Sequence, residues 1–316
     1  MPELKTTPLT RHFGVEVTGL PLADVVPSGR FDELRALFEE HSALLFRAQE
    51  FDDAAHLELA NTFGPIEDRK ADERQPGEEF TIPTVTNVRA DSSLGGDLDL
   101  HRLHLESNFL WHSDSTFLPQ PALTNIITAR VVTTEGGATE LASTRAAWAA
   151  MPEELRARIR GRGIWHHYAV SRAKISPELA KHPMFHKWPA THWNAVWTNP
   201  VNGHDALYVA SHAYEVDGYG DAEGKALLAE LIDFCTRPEF TYSHRWQVGD
   251  VLIWDQRAVL HRGTPWPENQ PRTLSSICTS ATDADGLDEM RMPCRDLRKV
   301  RERTAPTQSD LQEPRG

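Results

Sequence analysis

Long apolar runs are missing from this chain: nowhere do 18 apolar residues follow one another, so no membrane-spanning helix is expected. Cysteine is scarce as well. Cys235, Cys278 and Cys294 are odd in number and stand at no metal-ligand spacing, which argues against a disulfide framework and suits a reducing compartment. Positive charge is in deficit, with 33 Lys and Arg against 46 Asp and Glu and a net charge of −13. The basic stretch "RDLRKVRERT" (295 to 304) reads as a solvated tail or helix face, and a nucleic-acid partner is not expected. The opening "MPELKTTPLTRHFG" has no apolar core of the signal-peptide kind. Together these absences predict a cytoplasmic protein with neither a membrane nor a nucleic acid as partner.

What is present is a chain of 316 residues, enough for one large core, since single cores run up to roughly 250 to 300 residues. In "SGRFDELRALFEEHSALLFRAQE" the apolar positions 31, 34, 37 and 38 predict a helix with Ser28 as its cap, followed by a buried strand at "ALLF". "DDAAHLELANTFG" predicts a second helix, capped by Asp52 or Asp53 and ended by Gly64. The charged run from 66 to 79 predicts a loop. Strands are expected at "TIPTVTNV", "TNIITARVVT" and "ALYVAS", and helices at "STRAAWAAMPEELRARIRG", broken near Pro152, and at "DAEGKALLAELIDFCTR". The last third is the most strand-like, with "EFTYSHRW", "GDVLIWDQRAVLHRG" and "PRTLSSICTS" separated by turn residues. This is a mainly β pattern with flanking helices, a sandwich or barrel rather than an alternating α/β fold. No linker divides it: residues 1–284 read as one domain and 285–316 as a peripheral extension.

Three His-x-acid pairs could hold a metal: His56 with Glu58, His104 with Glu106, and His112 with Asp114. The first falls in a helical segment, where residues two apart point about 200° from each other. The second lies in an irregular run and stays open as a rival. The third, in "NFLWHSDSTF", alternates as a strand does, which puts imidazole and carboxylate on one side about 7 Å apart at the backbone. Alone it is a weak signal in a chain with 15 histidines. Far downstream, His261 closes the apolar stretch "VLIWDQRAVLH", and Arg272 follows 11 residues later. Two histidines and one carboxylate with open positions suit non-haem Fe(II) better than a closed four-ligand zinc site. A guanidinium on a neighbouring strand can grip a carboxylate with two hydrogen bonds.

These pieces, in order, resemble the Fe(II)/2-oxoglutarate dioxygenases of the taurine and phenoxyacetate (TauD/TfdA-like) family. "FGVEVTGLPLA", "HSALLFRAQ", "NTFGPIE", "LWHSDSTF", "GGATEL", "SHAYEV" and "HRWQVGDVLIWDQRAVLHRG" carry the resemblance. It implies a double-stranded β-helix, the clavaminate synthase-like jelly roll with helices packed outside. It implies His112, Asp114 and His261 as iron ligands, and Arg272 and Thr139 as the groups that hold 2-oxoglutarate, with Asn108 facing the co-substrate. The implied reaction uses Fe(II), 2-oxoglutarate and O2 to hydroxylate an aliphatic C–H bond of a small organic acid, releasing succinate and CO2. An aryloxyalkanoate, with ether cleavage after hydroxylation, is favoured over a taurine-type sulfonate. The resemblance also carries a homo-oligomer as an expectation. A zinc hydrolase on the same ligands would leave Arg272 and Thr139 without a role, and a non-catalytic binding protein would not need the five residues together.

One departure from the family pattern bears on the substrate. Several members carry a second arginine 15 residues after the distal histidine, toward the substrate's anionic group; this chain has Ser276. His212 in "ASHAY" is the alternative donor, with Arg102, His104, Lys70 and Arg74 as further loop candidates. The segment "MFHKWPATHWNAVWTNP" reads as core and loop packing or as a wall for an apolar substrate.

Overall fold

The computed structural model describes residues 4–88, 103 and 105–292 of the chain. Its centre is the strand Val251–Asp255, every residue of which is buried. It lies antiparallel between Ala43–Phe46 and Ala122–Val131, with Ile253 opposite both Leu44 and Ile126. Among the described residues seven strands make this sheet, in the order Lys5–Pro8, Val15–Thr18, Ala43–Phe46, Val251–Asp255, Ala122–Val131, Thr273–Ser280, Thr84–Thr86.

The continuous apolar runs are explained by cover on both faces. Leu44, Phe46, Val251, Ile253, Ile126 and Ile277 pack against Leu34, Phe38, Leu59 and Phe63 of the helices Phe31–His41 and Asp53–Phe63. Alternate residues, Leu45, Leu252, Trp254 and Ile127, face the other way and meet Leu141 and Val259 of a second sheet. Side chains of period two thus serve two cores at once. Each fully buried side chain of this kind contributes about 1.5–3 kcal/mol of transfer free energy.

The second sheet holds Thr139–Ser143 between Thr241–His244 and Val259–Gly263. Beside it, Gly163–His166 pairs with Ala213–Val216 and Thr191–Asn194, and the helix Asp221–Cys235 covers this half through Leu227, Leu228, Leu231 and Phe234. Two facing layers, antiparallel except where Val15–Thr18 pairs parallel with Ala43–Phe46, with helices outside make the jelly roll that the family resemblance implies. Among the described residues no helix is long and apolar enough to cross a membrane.

Several local expectations need correction. Ser28 does not cap the first helix; Arg30 precedes it, with no side-chain cap, because Gly29 at φ +70° turns the chain between them. "VLIWDQRAVLH" is two strands in different sheets, joined by a turn at Gln256–Ala258. Arg257 in that turn is buried against Asp255 and Glu39 at 2.9 and 2.6 Å. The strand forecasts at 81–88 and in "ALYVAS" shrink to Thr84–Thr86 and Asp205–Leu207. The boundary at 285 is too early: Asp285 accepts from Arg35 at 2.7 Å, and Leu287 and Met290 of the short helix Leu287–Met290 are buried in the main core. Cys294 and the basic stretch lie outside the described residues.

Candidate metal and co-substrate site

His261 sits in the strand Val259–Gly263, at a backbone bridge to His112 in which each residue donates its N–H to the other's carbonyl, at 2.7 and 2.9 Å. That bridge, formed between positions far apart in the sequence, brings the two imidazoles to 4.1 Å between ring centroids. After His112 the chain turns rather than continuing as a strand, and Ser115 adopts φ +58°. The strand reading of "WHSDSTF" is therefore wrong, although its consequence holds. The turn, not pleating, swings Asp114 toward the histidines, and one ligand atom from each of the three residues lies within 4.8 Å of the others.

The cluster has the charge state that a divalent cation needs. Leu110 carbonyl accepts from His112 Nδ1 at 2.6 Å, so Nε2 is left as the lone-pair nitrogen facing Asp114 Oδ1 at 3.8 Å. His261 Nε2 lies 3.5 Å from Asp114 Oδ2. Burial lowers the pKa of His112, and lowers that of His261 to about 3, which keeps both imidazoles neutral. Burial alone would raise Asp114, but the facing imidazoles of His261 and His112, the Arg69 guanidinium and the Asn125 amide outweigh it and hold the carboxyl below its ordinary range. Asp114 Oδ2 accepts from Gln256 Nε2 at 2.7 Å and from Asn125 Nδ2 at 2.9 Å, with Cys278 Sγ at 3.5 Å. Gln256 Oε1 accepts from the Asp114 N–H at 3.0 Å, so one side chain fixes both ends of the ligand. Neutral imidazoles and an oriented anion around open space fit a hard or borderline divalent ion such as Fe(II).

The cluster opens on a cavity of about 730 Å³ whose lining includes Asn108, Thr139, His212 and Arg272, so every predicted site residue borders one space. Arg272 is buried; its Nε donates to Gly137 carbonyl at 3.1 Å and its guanidinium carbon lies 4.8 Å from the Trp266 ring centroid. Burial pushes its pKa down to about 10. Thr139 Oγ1 accepts from Trp246 Nε1 at 3.0 Å. Asn108 lies on the turn Ser107–Phe109. His212 is buried between Phe117 and His112, with ring centroids at 4.9 and 6.2 Å. Burial lowers its pKa well below 6.5, so it is a neutral ring. Ser276 Oγ donates to Asn125 Oδ1 at 2.9 Å and so belongs to the support of Asp114. Lys70 and Arg74 line the cavity, Arg74 paired with Asp68, while Arg102 and His104 lie outside the described residues. The aromatic segment divides: Trp188 lines the cavity, whereas Trp193 and Trp197 are core.

The family described as "Taurine catabolism dioxygenase TauD, TfdA family" matches residues 5–278. The chain belongs to the TauD/TfdA family. Among curated relatives, the (S)-phenoxypropionate/alpha-ketoglutarate-dioxygenase of Sphingobium herbicidovorans is 34% identical, over 86% of this chain and 93% of that protein. The alpha-ketoglutarate-dependent 2,4-dichlorophenoxyacetate dioxygenase of Cupriavidus pinatubonensis is 32% identical, over 86% of this chain and 96% of its own. Among solved structures, AAD-2 in complex with Mn(II) and N-oxalylglycine superposes with a TM-score of 0.80 at 30% identity, covering 89% of this chain and 98% of its own. With the family comes the enzyme class: the protein is a 2-oxoglutarate-dependent non-haem iron dioxygenase.

Sequence reasoning about this TauD/TfdA chain missed Asn125, Gln256, Arg69 and Arg172. Asn125, on the strand Ala122–Val131, and Gln256, in the turn Gln256–Ala258, act on Asp114 from distant segments and carry no local signature. Arg69 donates to Glu67 and Ser115 at 2.5 and 2.9 Å from a segment that looked like plain loop.

Proposed function

We propose that the protein hydroxylates an aliphatic C–H bond of a small organic acid, an aryloxyalkanoate, with 2-oxoglutarate and O2 as co-substrates. One observation carries the reading: a neutral His112–His261 pair and an anionic Asp114 share a cavity with Arg272, a buried guanidinium with no carboxylate partner among the described residues. The names of the relatives support the substrate class.

In this reading His112 Nε2, His261 and Asp114 hold the iron, and Arg272, with the Thr139 hydroxyl, receives the distal carboxylate of 2-oxoglutarate. Iron bound there supplies the oxidative chemistry by which 2-oxoglutarate and O2 become succinate and CO2 and one oxygen atom enters a C–H bond of the substrate. The chain's own part is orientation. Gln256 and Asn125 hold Asp114 in one rotamer, Leu110 fixes the His112 tautomer, and Gly137 aims Arg272. Trp254, Ile127 and Leu274 form an apolar floor that keeps water from the reacting centre. Hydroxylation at a carbon that also bears an ether oxygen yields a hemiacetal, which collapses to a phenol and a carbonyl acid.

The test is to supply purified protein with ferrous iron, ascorbate and 2-oxoglutarate and to measure succinate and oxygen uptake with phenoxyacetate, 2-phenoxypropionate and taurine. Succinate should rise with the aryloxyalkanoates and not with taurine. The proposal fails if no acid lifts succinate above the level given by His112→Ala.

A further inference from the structure

Of the four arginines that line the cavity, two are matched by acids: Arg69 by Glu67 and Arg74 by Asp68. The other two, Arg272 and Arg172, have no carboxylate partner among the described residues. Arg272 is accounted for by 2-oxoglutarate. Arg172 is not. It is 6% exposed, on the short helix Tyr168–Ala173, and its partners are neutral: Ser171 Oγ at 2.8 Å, Tyr168 hydroxyl at 3.3 Å, and the rings of Tyr168 and Phe185 at 4.5 and 5.4 Å from the guanidinium carbon. Its Nε is buried and unpaired among the described residues. A buried cation with donors to spare is strongly unfavourable unless an anion arrives to complete it.

The surroundings say which anion. Arg172 lines the same cavity as His112, Asp114 and His261. From His112 the wall runs through His212 to Phe117, whose ring stacks on Tyr168 at 3.9 Å and 8°, and the Arg172 guanidinium carbon lies 4.5 Å from the centroid of that tyrosine ring. Trp188 stands 6.1 Å from Tyr168, and Met184 continues the wall outward with half its surface exposed. Ser276 is excluded as the holder, because its hydroxyl proton is given to Asn125. His212 is a neutral ring whose Nδ1 already lies 3.4 Å from Thr116 Oγ1.

We propose that Arg172 receives the carboxylate of the substrate, leaving the adjacent carbon between it and the metal ligands and the apolar body against Trp188 and Met184. The assignment rests on the function proposed above. It makes the cavity a site with two guanidinium anchors, one for each acid. Burial depresses the pKa of Arg172, which is the cost that a bound carboxylate relieves.

The experiment is calorimetric titration of the cobalt(II)-loaded full-length protein, without oxygen, with 2-oxoglutarate, phenoxyacetate and hexyl sulfate, using wild type, R172Q, R172K and R272Q. R172Q should weaken phenoxyacetate about tenfold or more and leave 2-oxoglutarate nearly unchanged, R272Q should do the reverse, and R172K should keep part of the lost affinity. Ligand-free R172Q should melt no lower than wild type, since it loses an uncompensated buried charge. The assignment is overturned if R172Q binds phenoxyacetate like wild type, or if it loses both ligands alike together with a lower Tm. If wild type takes hexyl sulfate but not phenoxyacetate, and R172Q abolishes that, Arg172 stands as the anion anchor and the carboxylic-acid substrate falls. If wild type binds 2-oxoglutarate but neither probe, both proposals fall.

Discussion

Asp114 shows how much of a metal ligand's behaviour is decided by residues that never touch the metal. Its Oδ2 takes hydrogen bonds from Gln256 and Asn125, and Asn125 is in turn held by Ser276, so the carboxylate is the end of a chain reaching into the strand Thr273–Ser280. Outer partners of this kind typically carry about 10- to 100-fold in metal affinity. Gln256→Leu should therefore weaken Co(II) or Fe(II) binding by about that factor in a metal titration while the fold, followed by circular dichroism, stays intact. Unchanged affinity would show that Asp114 is oriented by its own turn alone. At this scale the three residues that the structure clusters were legible as candidates, because His-x-Asp, a distant histidine and an arginine 11 residues beyond form a recognisable constellation. Arg172 was not, because "SRAK" says nothing about burial or about the absence of an acid nearby.

Among the elements, the turn that contains "GGATE" has an exacting geometry. Gly137 sits at φ +64°, and a Cβ there would come within 3.1 Å of Arg272 Nε and 2.9 Å of Thr133 Oγ1. Gly137→Ala should thus push the guanidinium that we propose receives 2-oxoglutarate, raising KM for the co-substrate roughly tenfold with a smaller change in kcat. The left-handed backbone should cost about 1–2 kcal/mol of stability, read from chemical denaturation. Equal loss in kcat and no change in KM would separate the turn from co-substrate binding. Elements with strong local signals were readable: "ALLF" as the strand Ala43–Phe46, Asp52 as a cap whose Oδ1 accepts from the Ala55 N–H at 2.8 Å, and the break at Pro152 between the helices Thr144–Ala150 and Glu153–Ile159. "WHSDSTF" misled because a turn and a strand can share the same alternation over seven residues. "VLIWDQRAVLH" misled because buried residues on both sides of a turn leave no polar break to mark it.

Over the whole molecule, buried histidines contribute to the response to acid, those outside the metal cluster among them. His56 and His167 are lowered to about 4 and His166 to about 3, burial being the main cause in each. Neither nitrogen of His166 has a hydrogen-bond partner among the described residues. Below their ordinary value of 6.5 the unfolded chain binds protons that the folded chain refuses. The stability they lend is complete above about pH 6.5 and is lost as pH falls toward 4 and then 3. Each can remove up to about 1.4 kcal/mol per pH unit in that interval. The urea midpoint of the metal-free protein should drop between about pH 7 and pH 5, and His166→Gln should flatten the slope; an unchanged slope would mean that the imidazole is solvated in solution. By itself the amino-acid order determined most of the helices, the strands with strong local signals and the layered class, since periodicity is a local property, and the resemblance of its motifs singled out His112, Asp114 and His261 as candidates. Only the tertiary structure decided that a backbone bridge aligns His112 with His261, that a turn rather than a strand delivers Asp114, and that Arg172 is buried without an acid partner among the described residues. Each of those facts depends on which distant segments exclude water from one another, and no window of the sequence contains both partners.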